Sequence, residues 1–201
     1  MRVLYLFPLL IASWCLCSKA LAQDSTPNLW NYEASYFGNN AWTPGLKLGA
    51  TYQLWEKVKT KTSKKGKEKR KSFELLAAGN LGFYSHPKNH KGFFNNYDML
   101  IKKTSTKGWN CFAGTGMGIY RSVLPETYEV SESGEVSQVF LPGNWYFTSQ
   151  ILVGFGKDYL DSTAIINGWF LRNTNLFLFG YNTFTLPLLN LEAGVKINLH
   201  R

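Results

Sequence analysis

Three stretches of this 201-residue chain hold side chains that can do chemistry. The first is Ser85-His86-Pro87-Lys88-Asn89-His90, which concentrates a hydroxyl and two imidazoles. A nucleophile needs a base in reach, but neighbouring residues on a strand point to opposite faces. Ser85 and His86 are therefore not a ready pair. His86 and His90 could share a metal if the turn folded back, yet no third ligand is at hand. The stretch reads as a polar turn. The second stretch carries Glu126, Glu129, Glu132 and Glu135 around Ser133-Gly134. It lacks the Asp-x-Asp spacing of a calcium loop and reads as a solvated acidic hairpin at about 124–139 turning at Ser-Gly. No catalytic group, metal or cofactor is expected.

The third stretch is basic. Lys57, Lys59, Lys61, Lys64, Lys65, Lys67, Lys69, Arg70 and Lys71 stand against one acid, Glu68. The whole chain carries +9, with 22 basic and 13 acidic residues, so this segment accounts for nearly all of the imbalance. A run of this kind attracts phosphates. The expectation is a basic loop at about 57–71, too polar to order itself on a core, with the alternation of Lys57, Lys59 and Lys61 letting a strand run some way into it. It is either a solvated loop or a weak site for anionic lipid or lipopolysaccharide phosphates.

A nucleic-acid partner conflicts with the N-terminus. Met1-Arg2, the apolar run Val3–Trp14 and the small-x-small ending Ala20-Leu21-Ala22 read as a secretory signal peptide over 1–22. Mature chain would begin at Gln23 and form one domain over 23–201. Cys15 and Cys17 leave with the signal, so Cys111 has no disulfide partner within the chain. It reads as a small apolar side chain on a strand face.

The elements that must carry these groups alternate. Leu189, Leu191, Ala193, Val195, Ile197 and Leu199 share one parity, and Asn190, Glu192, Gly194, Lys196 and Asn198 the other. Strand side chains alternate sides. An aliphatic face of this length suits a tilted membrane-spanning strand. Leu46, Leu48, Ala50, Tyr52 and Leu54 oppose Lys47, Gly49, Thr51 and Gln53. Phe93, Tyr97, Met99 and Ile101 oppose Asn96, Asp98 and Lys102. Gly114, Gly116 and Gly118 share a face, as the crowded interior of a small barrel requires. Leu76 and Ala78 blur the polar face of their segment, and residues 164–181 are apolar on both parities, so their faces stay unassigned. No segment shows sustained helical periodicity. The prediction is an all-β fold: a single antiparallel up-and-down transmembrane β-barrel of about eight strands. With Asn31–Phe37 as the first strand, the basic segment falls at the same end as the chain termini; without that strand it falls at the opposite, outer end, and the sequence leaves both open.

The signal peptide, the Gly- and aromatic-rich alternating strands and the closing LPLLNLEAGVKINL resemble small outer-membrane β-barrel proteins of Gram-negative bacteria. The usual last residue of that family is aromatic, where this chain has His200-Arg201 after Leu199. The resemblance implies the cell outer membrane as location. Its partners would be outer-membrane lipids, lipopolysaccharide and the barrel-assembly machinery, with no nucleic acid. The role implied is structural, anchoring or binding rather than enzymatic. Two alternatives stay open: a lipid- or envelope-modifying barrel enzyme, and a soluble lipocalin-like barrel with its aliphatic parity turned inward. Lipid-modifying barrels of the family carry His and Ser two residues apart on one face, and this sequence has no such pair.

Overall fold

The computed structural model describes residues 29–39, 43–62, 68–86, 90–125, 127–131, 133–159, 165–181 and 184–198. The expected signal segment 1–22 lies outside them. In chain order the strands are β1 (Trp30–Asn39), β2 (Thr43–Thr62), β3 (Glu68–Ser85), β4 (Lys91–Thr104), β5 (Trp109–Val123), β6 (Tyr128–Val130), β7 (Val136–Gln138), β8 (Trp145–Asp158), β9 (Ile166–Tyr181) and β10 (Phe184–Ile197). All but β6 and β7 join one sheet in the order β1-β10-β9-β8-β5-β4-β3-β2. Every pairing in it is antiparallel, and β1 pairs with β10 from Tyr32–Ile197 to Asn39–Asn190, which closes the barrel. Closure removes the exposed edges that an open sheet would present. The result is the eight-stranded up-and-down barrel anticipated from the alternation.

The aliphatic parity faces out. Leu46, Leu48 and Leu81 are 69%, 64% and 62% exposed, whereas Lys47, Asn80, Asn96 and Thr174 are buried on the inner wall. This inverts a soluble lipocalin-like barrel and overturns that alternative. The outer face is an apolar band edged by aromatics at two levels. Near one edge Trp109 packs on Trp169 at 5.8 Å and Phe155 on Trp169 at 6.0 Å. Near the other, Phe83 packs on Phe93 at 4.9 Å and Phe147 on Phe179 at 6.0 Å. On β3 the apolar stripe runs from Phe73 to Phe83. At about 3.3 Å per residue and a tilt near 40° it spans about 25 Å, the height of a membrane-spanning barrel's belt. An outward apolar band with interfacial aromatics around a polar interior is the architecture of an outer-membrane-type barrel.

The interior is packed in layers. Phe37, Tyr84, Phe94, Tyr120, Leu176 and Leu178 form an apolar cluster, and Leu76, Ala78, Leu100 and Leu152 a second one backed by Phe112. These clusters explain the stretches that resisted assignment: Leu76, Ala78, Phe170, Leu176 and Leu178 are lumen fillers, so apolar residues occupy both faces of β3 and β9. Gly116 faces inward opposite Asp98. A Cβ there would land on the Asp98 carboxylate, so glycine makes room for that side chain.

Candidate functional site

The expected basic loop is largely strand. Lys57, Lys59 and Lys61 belong to β2, and Lys69, Arg70 and Lys71 to β3. Lys64, Lys65 and Lys67 lie outside the described residues. The two strands pair through Lys57–Phe73, Val58–Ser72, Lys59–Lys71, Thr60–Arg70 and Lys61–Lys69 to Thr62–Glu68. β4 stops pairing with β3 at Ser72–Thr104, and β1 stops pairing with β2 at Trp30–Tyr52. The basic segment is therefore a two-stranded extension standing beyond the barrel rim. Composition suggested that nothing would order it. Backbone pairing inherited from the long β2–β3 hairpin does so instead, and the Thr106 hydroxyl donates to the Arg70 carbonyl at 2.7 Å to brace it.

A bulge decides which way the lysines point. Register shifts by one residue between Gln53 and Trp55. Before the shift the even positions Leu46 to Leu54 face out. After it Trp55 sits opposite outward-facing Leu75, and Lys57 and Lys59 follow it onto the outer wall. Without the bulge the lysines would share the inner face with Lys47 and Thr51. The outer face of the extension thus gathers Lys57, Lys59, Lys69 and Lys71 beside Trp55 and Phe73, whose rings meet edge to face at 6.4 Å. Lys103, opposite Phe73 on β4, joins them. They line a groove of about 610 Å³. Arg70 has the opposite parity and is not part of this face. Lys103, Trp55 and Phe73 were not legible as site members, because only register brings them there.

The inner wall holds a second concentration of charge. Lys47 Nζ lies 2.9 Å from Glu192 Oε1, and Arg172 reaches Glu192 Oε2 through Nε at 3.0 Å and Glu33 Oε2 through Nη2 at 3.2 Å. The Thr174 hydroxyl donates to Glu192 at 2.7 Å. Asn80 donates to Asp98 at 2.8 Å, and Gln150 donates to the same carboxylate. Towards the end holding the start of β1, Lys102 bridges Glu74 at 3.2 Å and Asp158 at 2.9 Å, while Lys196 reaches Asp158 at 2.6 Å. These last groups rim a cavity of about 200 Å³. Paired and hydrogen-bonded charges of this kind satisfy a desolvated interior.

At the opposite end the histidines meet. His86 and His90 stack at 5.7 Å, and the Tyr84 hydroxyl shares hydrogen bonds with His90 Nε2 at 3.2 Å and with Tyr120 at 2.7 Å. Burial pushes the His90 pKa below its ordinary value, and the neighbouring His86 pushes it the same way. Ser85 ends β3 on the outward parity, with no hydrogen bond to either imidazole among the described residues. The acidic stretch forms the β6–β7 hairpin at this end, with Glu129 in β6 and Glu135 just before β7. Glu126 and Glu132 lie outside the described residues. Cys111 is exposed on the outer wall, and Lys103 sits directly opposite it, a basic neighbour that the linear sequence did not reveal.

No family model and no curated protein sequence matches this chain. By shape it is similar to the outer membrane enzyme PagL, at 10% identity and a TM-score of 0.48, over 84% of this chain and 99% of that one. It is also similar to Neisserial surface protein A, at 11% identity and a TM-score of 0.42, over 84% and 93% of the two chains. Ail, the attachment invasion locus protein of Yersinia pestis, is matched at 11% identity and a TM-score of 0.27, over 84% and 95%.

Proposed function

We propose that this chain is an integral outer-membrane barrel with a structural, anchoring or binding role, which conducts nothing through its lumen. The filled interior carries this reading. Tyr120, Phe170, Leu152, Leu176 and Arg172 are each no more than 3% exposed, so the inner wall is occupied by its own side chains rather than by a water column. The outward apolar band supplies the membrane anchorage, and the surfaces left for work are the two ends and the outer wall. At the loop end Ser85 makes no hydrogen bond to His86 or His90 among the described residues. At the other end the Ser72 hydroxyl donates to a Glu74 carboxylate that Thr104 and Lys102 also engage, so that carboxylate serves as a fixed acceptor and the ends read as binding surfaces.

Cell fractionation tests the location. The protein should appear in a detergent-extractable outer-membrane fraction, with gel mobility that changes on boiling. Recovery as a soluble monomer would overturn the reading. Reconstitution into planar bilayers should give no stepwise conductance, and steady channels would show that the lumen is not closed.

A further inference from the structure

We propose that the outer face of the β2–β3 extension is a binding site for the headgroup of an anionic phospholipid in the leaflet at the end of the barrel where β1 starts. Four observations converge on it. First, the groove lies where the apolar belt stops: Trp55 and Phe73 close the belt, Lys57 and Lys103 flank Phe73 as its strand partners, and Lys59 and Lys71 follow beyond it. That is the level of a lipid phosphate. Second, among the side chains described, no ion pair joins Lys57, Lys59, Lys69, Lys71 or Lys103 to a carboxylate, whereas Lys47, Lys102 and Lys196 on the lumen side each sit on one or two. Third, Lys59 stands directly opposite Lys71. Like charges facing each other across a pair of strands repel, and an anion between them relieves that repulsion. Fourth, the bulge at Leu54 turns these side chains outward, towards lipid, when continued alternation would have turned them inward.

The choice of leaflet follows from topology. An even number of strands puts the start of β1, the end of β10 and the extension at one end of the barrel. The long connection holding β6 and β7 is at the other end. Barrels of this kind keep both ends of the sheet and their short turns on the periplasmic side. The start of β1, the end of β10 and the short β4–β5 turn share the extension's end. This end is therefore assigned to the periplasm, with the extension as its one long hairpin among the described residues, and the groove faces phospholipid of the inner leaflet. The acyl chains of that lipid would lie along Leu75 and Ile101 below the aromatic pair. Phosphatidylglycerol has the required chemistry, a single phosphodiester charge with no compensating ammonium.

The proposal rests on the chain being a membrane barrel, and the test separates the two. The full mature chain is refolded into phosphatidylcholine vesicles, and folding is scored by heat-modifiable gel mobility. Nitroxide-labelled phosphatidylglycerol or phosphatidylcholine is then added in trace amount, and the motionally restricted fraction is measured. Failure to insert would sink the membrane reading itself. If the barrel inserts, phosphatidylglycerol should be preferred, by roughly fivefold in association for each lysine that contributes. The preference should fade as salt shortens the Debye length below about 8 Å. Combining Lys57→Gln, Lys59→Gln, Lys71→Gln and Lys103→Gln should abolish it, while Lys91→Gln, at the opposite end of the barrel, should leave it. An inserted wild-type barrel with no preference, or one whose preference survives high salt or the fourfold variant, overturns the proposal. For sidedness, Lys69→Cys in a Cys111→Ala background should react with a membrane-impermeant maleimide only after the outer membrane is permeabilised. Labelling of intact cells would put the groove outside, against lipopolysaccharide, and overturn the assignment to phospholipid.

Discussion

Lys47, Lys102 and Lys196 face the lumen, while Lys57, Lys59, Lys71 and Lys103 face out from the same wall. The lumen set sits on carboxylates at 2.6 to 3.2 Å, and Lys47 and Lys196 are buried. The outer set is exposed. The difference follows from solvent. A cation taken out of water must find a partner within the protein or lose its charge, so the inner lysines are fixed parts of the packing. A cation at a membrane edge keeps its hydration and remains available to a ligand. Residue type is therefore a poor guide to role in this barrel, and facing direction, set by parity and one bulge, is a good one.

The largest break in that comparison should come from Glu192→Gln. It leaves Lys47 and Arg172 buried with one carboxylate fewer, and removing one partner of a buried pair costs about 3–5 kcal/mol. Urea unfolding of the refolded barrel would read this, and adding Lys47→Met should recover part of the loss. Next comes Leu191→Arg. Leu191 pairs with Gly38 and Asn173 midway along β10 and faces out, so a cation there should cost about 2–4 kcal/mol in bilayers. A smaller loss is expected from Gly116→Ala, whose added methyl displaces Asp98 from its bonds with Asn80 and Gln150. Overpacking of this sort costs about 1–3 kcal/mol, measured in the same unfolding series.

How much of this could be seen in the sequence depends on which residues are considered. β10 was legible from Leu189 onward, where its lumen side is polar opposite an aliphatic outer side, whereas before it Leu186 and Leu188 pack on the inner apolar cluster. β9 was not, because Phe170, Leu176 and Leu178 fill a lumen that Arg172 and Thr174 also line, and parity cannot separate two apolar faces. The inner charge network was half visible: Lys47, Asp98 and Glu192 fell on polar parities, but only register joins Lys47 to Glu192, 145 positions away. The basic segment is evident from composition, and the alternation of Lys57, Lys59 and Lys61 points to a strand entering it, but composition does not record that a long hairpin carries its pairing on both arms past the rim. The groove itself depends on a one-residue register shift with no signature in the hydrophobic pattern, where Leu54 and Trp55 simply read as two adjacent apolar residues.

The outer set should behave oppositely to Glu192. Changing Lys57, Lys59, Lys71 and Lys103 to glutamine removes none of the ion pairs among the side chains described and relieves the Lys59–Lys71 repulsion. Barrel stability in neutral lipid should then stay within about 0.5 kcal/mol of the parent. A loss comparable to that of Glu192→Gln would mean that the extension is held by contacts these side chains make, and that the inner and outer cations are not two populations.

The smallest effect is expected where a cation can appear and disappear. His90 lies at the loop end, outside the membrane-spanning strands, against Tyr84 and His86. Its pKa is lowered, first by burial and then by the charge of a protonated His86, so the folded protein holds it neutral more firmly than the unfolded chain does. Above the ordinary histidine value of about 6.5 both states carry neutral His90 and it contributes no pH dependence. As pH falls below that value the unfolded chain takes up the proton first, so stability declines until the folded-state pKa is passed. NMR titration should find His90 below the ordinary value. His86→Gln should move it back up by removing the like charge, and His90→Gln should remove its share of the acid-side loss. A His90 that titrates above the ordinary value would mean that the imidazole is held as a cation, as the inner lysines are, by an acid at the loop end.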